Sequence, residues 1–113
     1  MAEQFFYARK GDTLKTLVGT CMDEAGAFDL TGCTLQFFMR LRTYKSTNKV
    51  NGSPAIASPD QVANKGVFSY SWGATDLDAP GEYDARLVAT IPSGGQLTFP
   101  NNERDRWTIV VHD

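Results

Sequence analysis

The chain offers little to an enzyme mechanism. It has one histidine, His112, and two cysteines, Cys21 and Cys33. Acyl transfer needs a nucleophile held beside a base, usually a histidine. His112 is the penultimate residue, where chain ends fray, so a solvent-facing tail residue is expected there. No G-x-S-x-G, no P-loop and no G-x-G-x-x-G pattern occurs in the sequence. Ser93-Gly94-Gly95-Gln96 is glycine-rich but lacks the following helix that a phosphate cradle needs. Two cysteines and one histidine match no zinc-ligand spacing. Four acids gather at Asp76, Asp78, Glu82 and Asp84. Calcium favours such oxygens on a flexible loop, but Gly81 lies at the wrong offset for an EF-hand. A turn whose aspartates bind local backbone N–H groups is the plainer reading. Asp23 and Glu24 read the same way. No acid pair stands out as a glycosidase dyad. The expectation is no catalytic residue, no metal and no cofactor.

Aromatic side chains carry more information. Tyr70, Trp72 and Tyr83 could stack on a sugar or a base, yet strand alternation puts them on core faces. Phe5, Phe6 and Phe38 differ. In an extended chain, one of the adjacent Phe5 and Phe6 must point away from the core, and Phe38 opposes Phe37. Exposed aromatics cost solubility and mark partner surfaces. Arg40, Arg42, Lys45 and Lys49 add a small basic cluster, read as solvated strand-end and loop charge.

The elements that must position these residues are strands. Glu3–Lys10 mixes aromatic and polar residues and stops at the turn pair Gly11-Asp12. In the next run Leu14, Thr16, Val18, Thr20 and Met22 share one face, and Leu17, Gly19 and Cys21 the other. A hairpin-type loop with Gly26 at its tip follows. In Thr34–Arg42, Leu35, Phe37, Met39 and Leu41 alternate with Gln36, Phe38, Arg40 and Arg42, as in a half-buried antiparallel strand. Together Gly11–Arg42 reads as an edge strand, a turn and a central strand with buried thiols. Residues 43–65 are polar and rich in turn residues, so a loop with a short strand near Ala55–Ala57 is expected. Phe68, Tyr70 and Trp72 share a face, as do Tyr83, Ala85, Leu87 and Ala89, and then Trp107, Ile109 and Val111. A single helical turn fits Ala74–Asp78. No stretch shows helical periodicity over a helix length. Seven or eight short strands in one domain, 1–113, predict a β-sandwich, with a small barrel as the alternative.

The bulk numbers agree. The 113 residues suffice for one core, and a 42% hydrophobic content is that of a globular chain. A formal charge of −2, from 11 basic and 13 acidic residues, favours neither nucleic acid nor a membrane surface as partner. The start, MAEQFFYARKGDT, shows no secretory signal, and no run is long enough to cross a membrane. A reducing compartment is expected, with Cys21 and Cys33 as free thiols.

Several words in order carry a resemblance: Gly11-Asp12-Thr13, Asp29-Leu30-Thr31-Gly32, Tyr70-Ser71-Trp72, Gly81-Glu82-Tyr83 and Phe99-Pro100. Over nearly the whole length the chain resembles the immunoglobulin-like β-sandwich domain of tailed-phage virion proteins, such as the N-terminal domain of the baseplate upper protein. The words are fold-keeping. Asp29 can accept backbone N–H bonds, Gly32 can take positive φ, and the Tyr83 hydroxyl can cap a loop. The resemblance implies an immunoglobulin-like antiparallel β-sandwich of about seven to eight strands. It implies a non-enzymatic virion structural protein, an adaptor or decoration subunit docked on other capsid, neck or tail proteins. Such a protein would reside in the virion, and in the host cytoplasm during assembly. Symmetric particles favour a homo-oligomer, a trimer or higher ring. The expected interface comprises Phe5, Phe6 and Tyr7 on the N-terminal segment, Phe38, Arg40 and Arg42 on the outer sheet face, and the loop from Thr43 to Lys65. The N-terminal segment could add as a strand to a neighbour's sheet edge. The alternative is a host-surface carbohydrate-binding module, which requires solvent-facing Trp or Tyr beside Asp, Asn or Gln.

Overall fold

The computed structural model describes residues 3–13, 16–23, 26–42, 48–100 and 106–113. Ten strands lie among them: β1 (Glu3–Arg9), β2 (Thr16–Thr20), β3 (Met22–Asp23), β4 (Gly26–Ala27), β5 (Thr34–Leu41), β6 (Asn48–Ala57), β7 (Val67–Ser71), β8 (Gly81–Thr90), β9 (Gln96–Phe99) and β10 (Arg106–His112). The described residues contain no helix. The segment Ala74–Asp78 is a hydrogen-bonded turn, with the Asp76 N–H donating to the Gly73 carbonyl.

The all-β expectation holds, but the sheet is not split into two hydrogen-bonded layers. One path runs β1-β10-β8-β5-β6-β7-β2, with β9 beside β8, and rolls into a mostly closed, barrel-like sheet. The cause lies in β6. Its first part pairs with β5 from Asn48 to Ala55, and then Ile56 and Ala57 pair with β7. One strand thus carries the hydrogen bonding from one side of the molecule to the other. The pairing is also not wholly antiparallel, since β1 runs parallel to β10. The small β3–β4 hairpin stands apart, and it places Gly26 in a strand and not at a loop tip.

Within the region expected as loop, residues 48–57 form a strand, 58–65 do not, and 43–47 lies outside the described residues. Gly52 and Pro54 made the segment look broken. The β5–β6 register shifts between Phe37 and Phe38 and again between Met39 and Arg40. The first shift leaves Gly52 as the extra residue, at φ 81°, a bulge position that glycine fills without strain. Pro54 pairs with Gln36 where β6 has only β5 beside it, so its missing N–H costs no ladder bond on the other side.

Alternation fills the interior as the sequence implied. Leu35, Phe37 and Met39 of β5, Phe68 and Tyr70 of β7, and Tyr83, Ala85, Leu87 and Ala89 of β8 are buried. Phe37 stacks on Tyr70 at 4.4 Å between centroids, and Trp72 meets both rings edge-on. Such pairs add about 0.5–1.5 kcal/mol each beyond burial.

A polar node under the sheet was not visible in the sequence. Gln61 is 8% exposed and ties three segments together. Its Oε1 accepts from the N–H groups of Leu30 and Gly66, both at 2.9 Å. Its Nε2 donates to the carbonyls of Ser58 and Val67. Beside it Gly66 sits at φ 82°, and a Cβ there would lie 2.7 Å from the Cys21 carbonyl oxygen. The Asp29 turn forms as expected, with Oδ1 accepting from the N–H and hydroxyl of Thr31. Those bonds hold the Asp29 carboxyl below its ordinary range.

Candidate functional site

The strand order ends at β1 and β2, so each has one edge without a backbone partner among the described residues. On β1, Phe6 and Ala8 point inward, while Phe5 and Tyr7 are 49% and 56% exposed. The Phe5 and Tyr7 rings stack at 6.0 Å, and Tyr7 stacks in turn on His112 of β10, also at 6.0 Å. An outward row of three rings thus lies along the edge. Val18 is the outward apolar residue of β2. A cleft of about 70 Å³ marks the seam between the two ends of the sheet, with Phe6, Leu17, Gly19, Phe68 and Trp107 among its walls.

The six expected interface residues divide. Phe5 and Tyr7 are at the surface. Phe6 is half-buried and packs on Trp72 at 5.7 Å. Phe38 lies on the outer face of β5, but Arg86 from β8 covers its ring, with the guanidinium carbon 4.6 Å from the centroid. It is half-buried, not bare. Arg40 is half-buried opposite Asp84 in the β5–β8 register. Arg42 is engaged within the chain: Nε donates to Asp84 at 3.0 Å, one terminal nitrogen to Glu82 at 3.2 Å and the other to the buried Thr108 hydroxyl at 2.5 Å.

The acidic run is consumed the same way. Asp76 accepts from the Tyr70 hydroxyl and the Gly73 N–H, and Lys49 pairs with Asp78. Glu82 and Asp84 hold Arg42. Two of the four acids share Arg42 and the other two have partners of their own, and no group of three metal-ligating side chains occurs among the described residues. Glu24 and Lys45 lie outside them. Of the basic cluster, Arg42 and Lys49 carry acid partners.

Tyr70, Trp72 and Tyr83 are buried, so they offer no stacking platform. The Tyr83 hydroxyl donates to the Ala79 carbonyl at 2.7 Å and closes the turn before its strand. Burial raises its pKa. Both cysteines are free thiols. Burial pushes Cys21 from 9.0 up to about 12, with Cys33 adding to the effect. A wider groove of about 360 Å³ runs between residues 30–33 and 55–61. Its one ionisable lining group among the described residues is Cys33, raised mainly by burial, a poor nucleophile at neutral pH.

No family model matches the chain, and no curated protein matches it in sequence. The edge itself has a clear chemistry: at Phe5 and Tyr7, backbone groups with no strand partner among the described residues lie beside aromatic side chains, the elements that capture an extended strand. Sequence reasoning found the aromatics by parity. It missed the parallel β1–β10 pairing that makes β1 an edge, because nothing local encodes a partner more than a hundred residues away.

Proposed function

We propose that this protein is a non-enzymatic phage virion structural subunit, an adaptor or decoration domain that docks on capsid, neck or tail proteins through its β1 edge. The single observation that carries the docking role is the exposed Phe5–Tyr7–His112 row on an open strand. Bare aromatics beside free backbone groups are an aggregation hazard unless a partner covers them. The virion setting comes from the sequence resemblance.

An immunoglobulin-like plan agrees with two further features. The order β10-β8-β5-β6 on one side and β7-β2 on the other corresponds to the G-F-C-C′ and E-B neighbours of such sandwiches. The Tyr83 bond to Ala79 is the tyrosine-corner interaction at the start of a strand in the F position. In this reading, the barrel-like roll is a sandwich whose two layers stay joined through β6.

Co-sedimentation with purified tailed-phage particles of the same genome tests the proposal. Wild type should pellet with the particles, and Phe5→Ser/Tyr7→Ser should stay in the supernatant with its circular dichroism unchanged. A wild-type protein that ignores the particles but binds a glycan array would overturn it in favour of the carbohydrate reading.

A further inference from the structure

The β1 edge is complementary to itself, and we infer that it pairs antiparallel with β1 of a second copy about a two-fold axis at Phe6. This deepens the reading above and rests on its placing of the interface at β1: a second copy covers the edge in the free protein, and a virion protein displaces it on docking. The Lys10 N–H donates to the His112 carbonyl across the parallel β1–β10 pair. Backbone groups alternate sides along a strand. The N–H and C=O of Ala8 and Phe6 therefore face β10, and those of Phe5, Tyr7 and Arg9 face the open edge. The Arg9 N–H obeys this rule: it leaves the sheet and donates to the Asp12 carboxylate at 3.1 Å. Phe5 and Tyr7 remain as the edge groups in mid-strand.

A two-fold axis at Phe6 sets Phe5 opposite Tyr7 of the second copy, and Tyr7 opposite Phe5. These are the residues whose backbone groups face outward, so each pair can exchange both N–H···O=C bonds, four in all. A register displaced by one residue would oppose inward-facing groups and form none. The same axis brings the two stacked Phe5–Tyr7 pairs side by side on the outer face, covering surface now in water. It also opposes residues 3 and 9, a glutamate and an arginine in sequence, on both sides of the axis. An isologous interface requires this kind of self-complementarity. The seven residues Glu-Gln-Phe-Phe-Tyr-Ala-Arg meet it in backbone pattern, aromatic placement and charge.

The test uses sedimentation equilibrium on the full chain, from micromolar to millimolar concentration. Wild type should show a monomer–dimer equilibrium. Arg9→Glu opposes like charges twice and should weaken dimerisation about tenfold or more. Glu3→Arg combined with Arg9→Glu restores opposite charges and should recover most of the loss. Tyr7→Pro removes an edge-facing N–H while leaving the β1–β10 bonds, and should abolish the dimer. A monomeric wild type at every concentration overturns the inference, as does a charge-swap double variant no better than Arg9→Glu. Particle co-sedimentation of the same variants separates the two claims. A monomer that still requires Phe5 and Tyr7 to bind particles sinks the dimer and spares the docking role.

Discussion

Replacing Gln61 with methionine tests whether one amide holds the underside of the sheet together. Methionine matches glutamine in length and offers no comparable donor or acceptor. The substitution strands the N–H groups of Leu30 and Gly66, which now meet Oε1 at 2.9 Å, and frees two carbonyls. A buried donor left unpaired costs about 1–3 kcal/mol. Two such donors, offset in part by the more apolar side chain, give a loss of about 3 kcal/mol. A domain of this kind has roughly 5–15 kcal/mol in total. Gly66 leaves little room for adjustment, because its backbone already lies against the Cys21 carbonyl. Urea unfolding followed by tryptophan fluorescence measures the change, with Trp72 and Trp107 as reporters. The midpoint should fall sharply at an unchanged slope. A loss under about 0.5 kcal/mol, the range of ordinary surface changes, would refute the node.

Two further outcomes follow from the side-chain network. Arg42→Lys should cost about 1–2 kcal/mol in the same assay, because a single ammonium cannot bond Asp84, Glu82 and Thr108 from three directions; a neutral result would show the fork to be dispensable. Stability should also decline above pH 9. The folded state keeps the Cys21 proton until about pH 12, while the unfolded thiol releases it near 9.0. The native state then binds more protons than the unfolded one, so the stability gained at neutral pH is lost as pH rises through that window. Burial raises Tyr70 from 10.0 to about 12, which acts in the same direction. Cys21→Ala should flatten the slope between pH 9 and 10, where Tyr70 contributes little.

Side-chain parity was legible from the sequence because burial in a strand has period two. Phe37, Met39, Phe68, Tyr70 and Trp72 fell inside as alternation required, and β2 and β5 took the edge and central places. The Asp29 turn and the Tyr83 cap were legible because they are local. What sequence could not give were long-range pairings. The polar run 48–57 became a strand since β5 offers it a ladder, and two bulges absorb its glycine and its extra residue. Phe38, expected to be exposed, is half-buried with Arg86 of the neighbouring strand over its ring. Arg42 is tied within the chain by partners that lie 40 or more residues away, which no local pattern encodes. At the candidate site, parity required one of Phe5 and Phe6 to face outward, and the exposed one is Phe5.

The pairing of the first strand with the last has a mechanical consequence. β1 starts beside Arg106 and finishes beside His112, so the two chain ends leave from opposite poles, about 20 Å apart along the strands. Tension applied between Glu3 and His112 pulls the two strands lengthwise past each other. All seven register pairs are then loaded together in shear, and none can be peeled open in sequence. Tethered by its ends, this domain would resist stretching as a lap joint, not open as a zip.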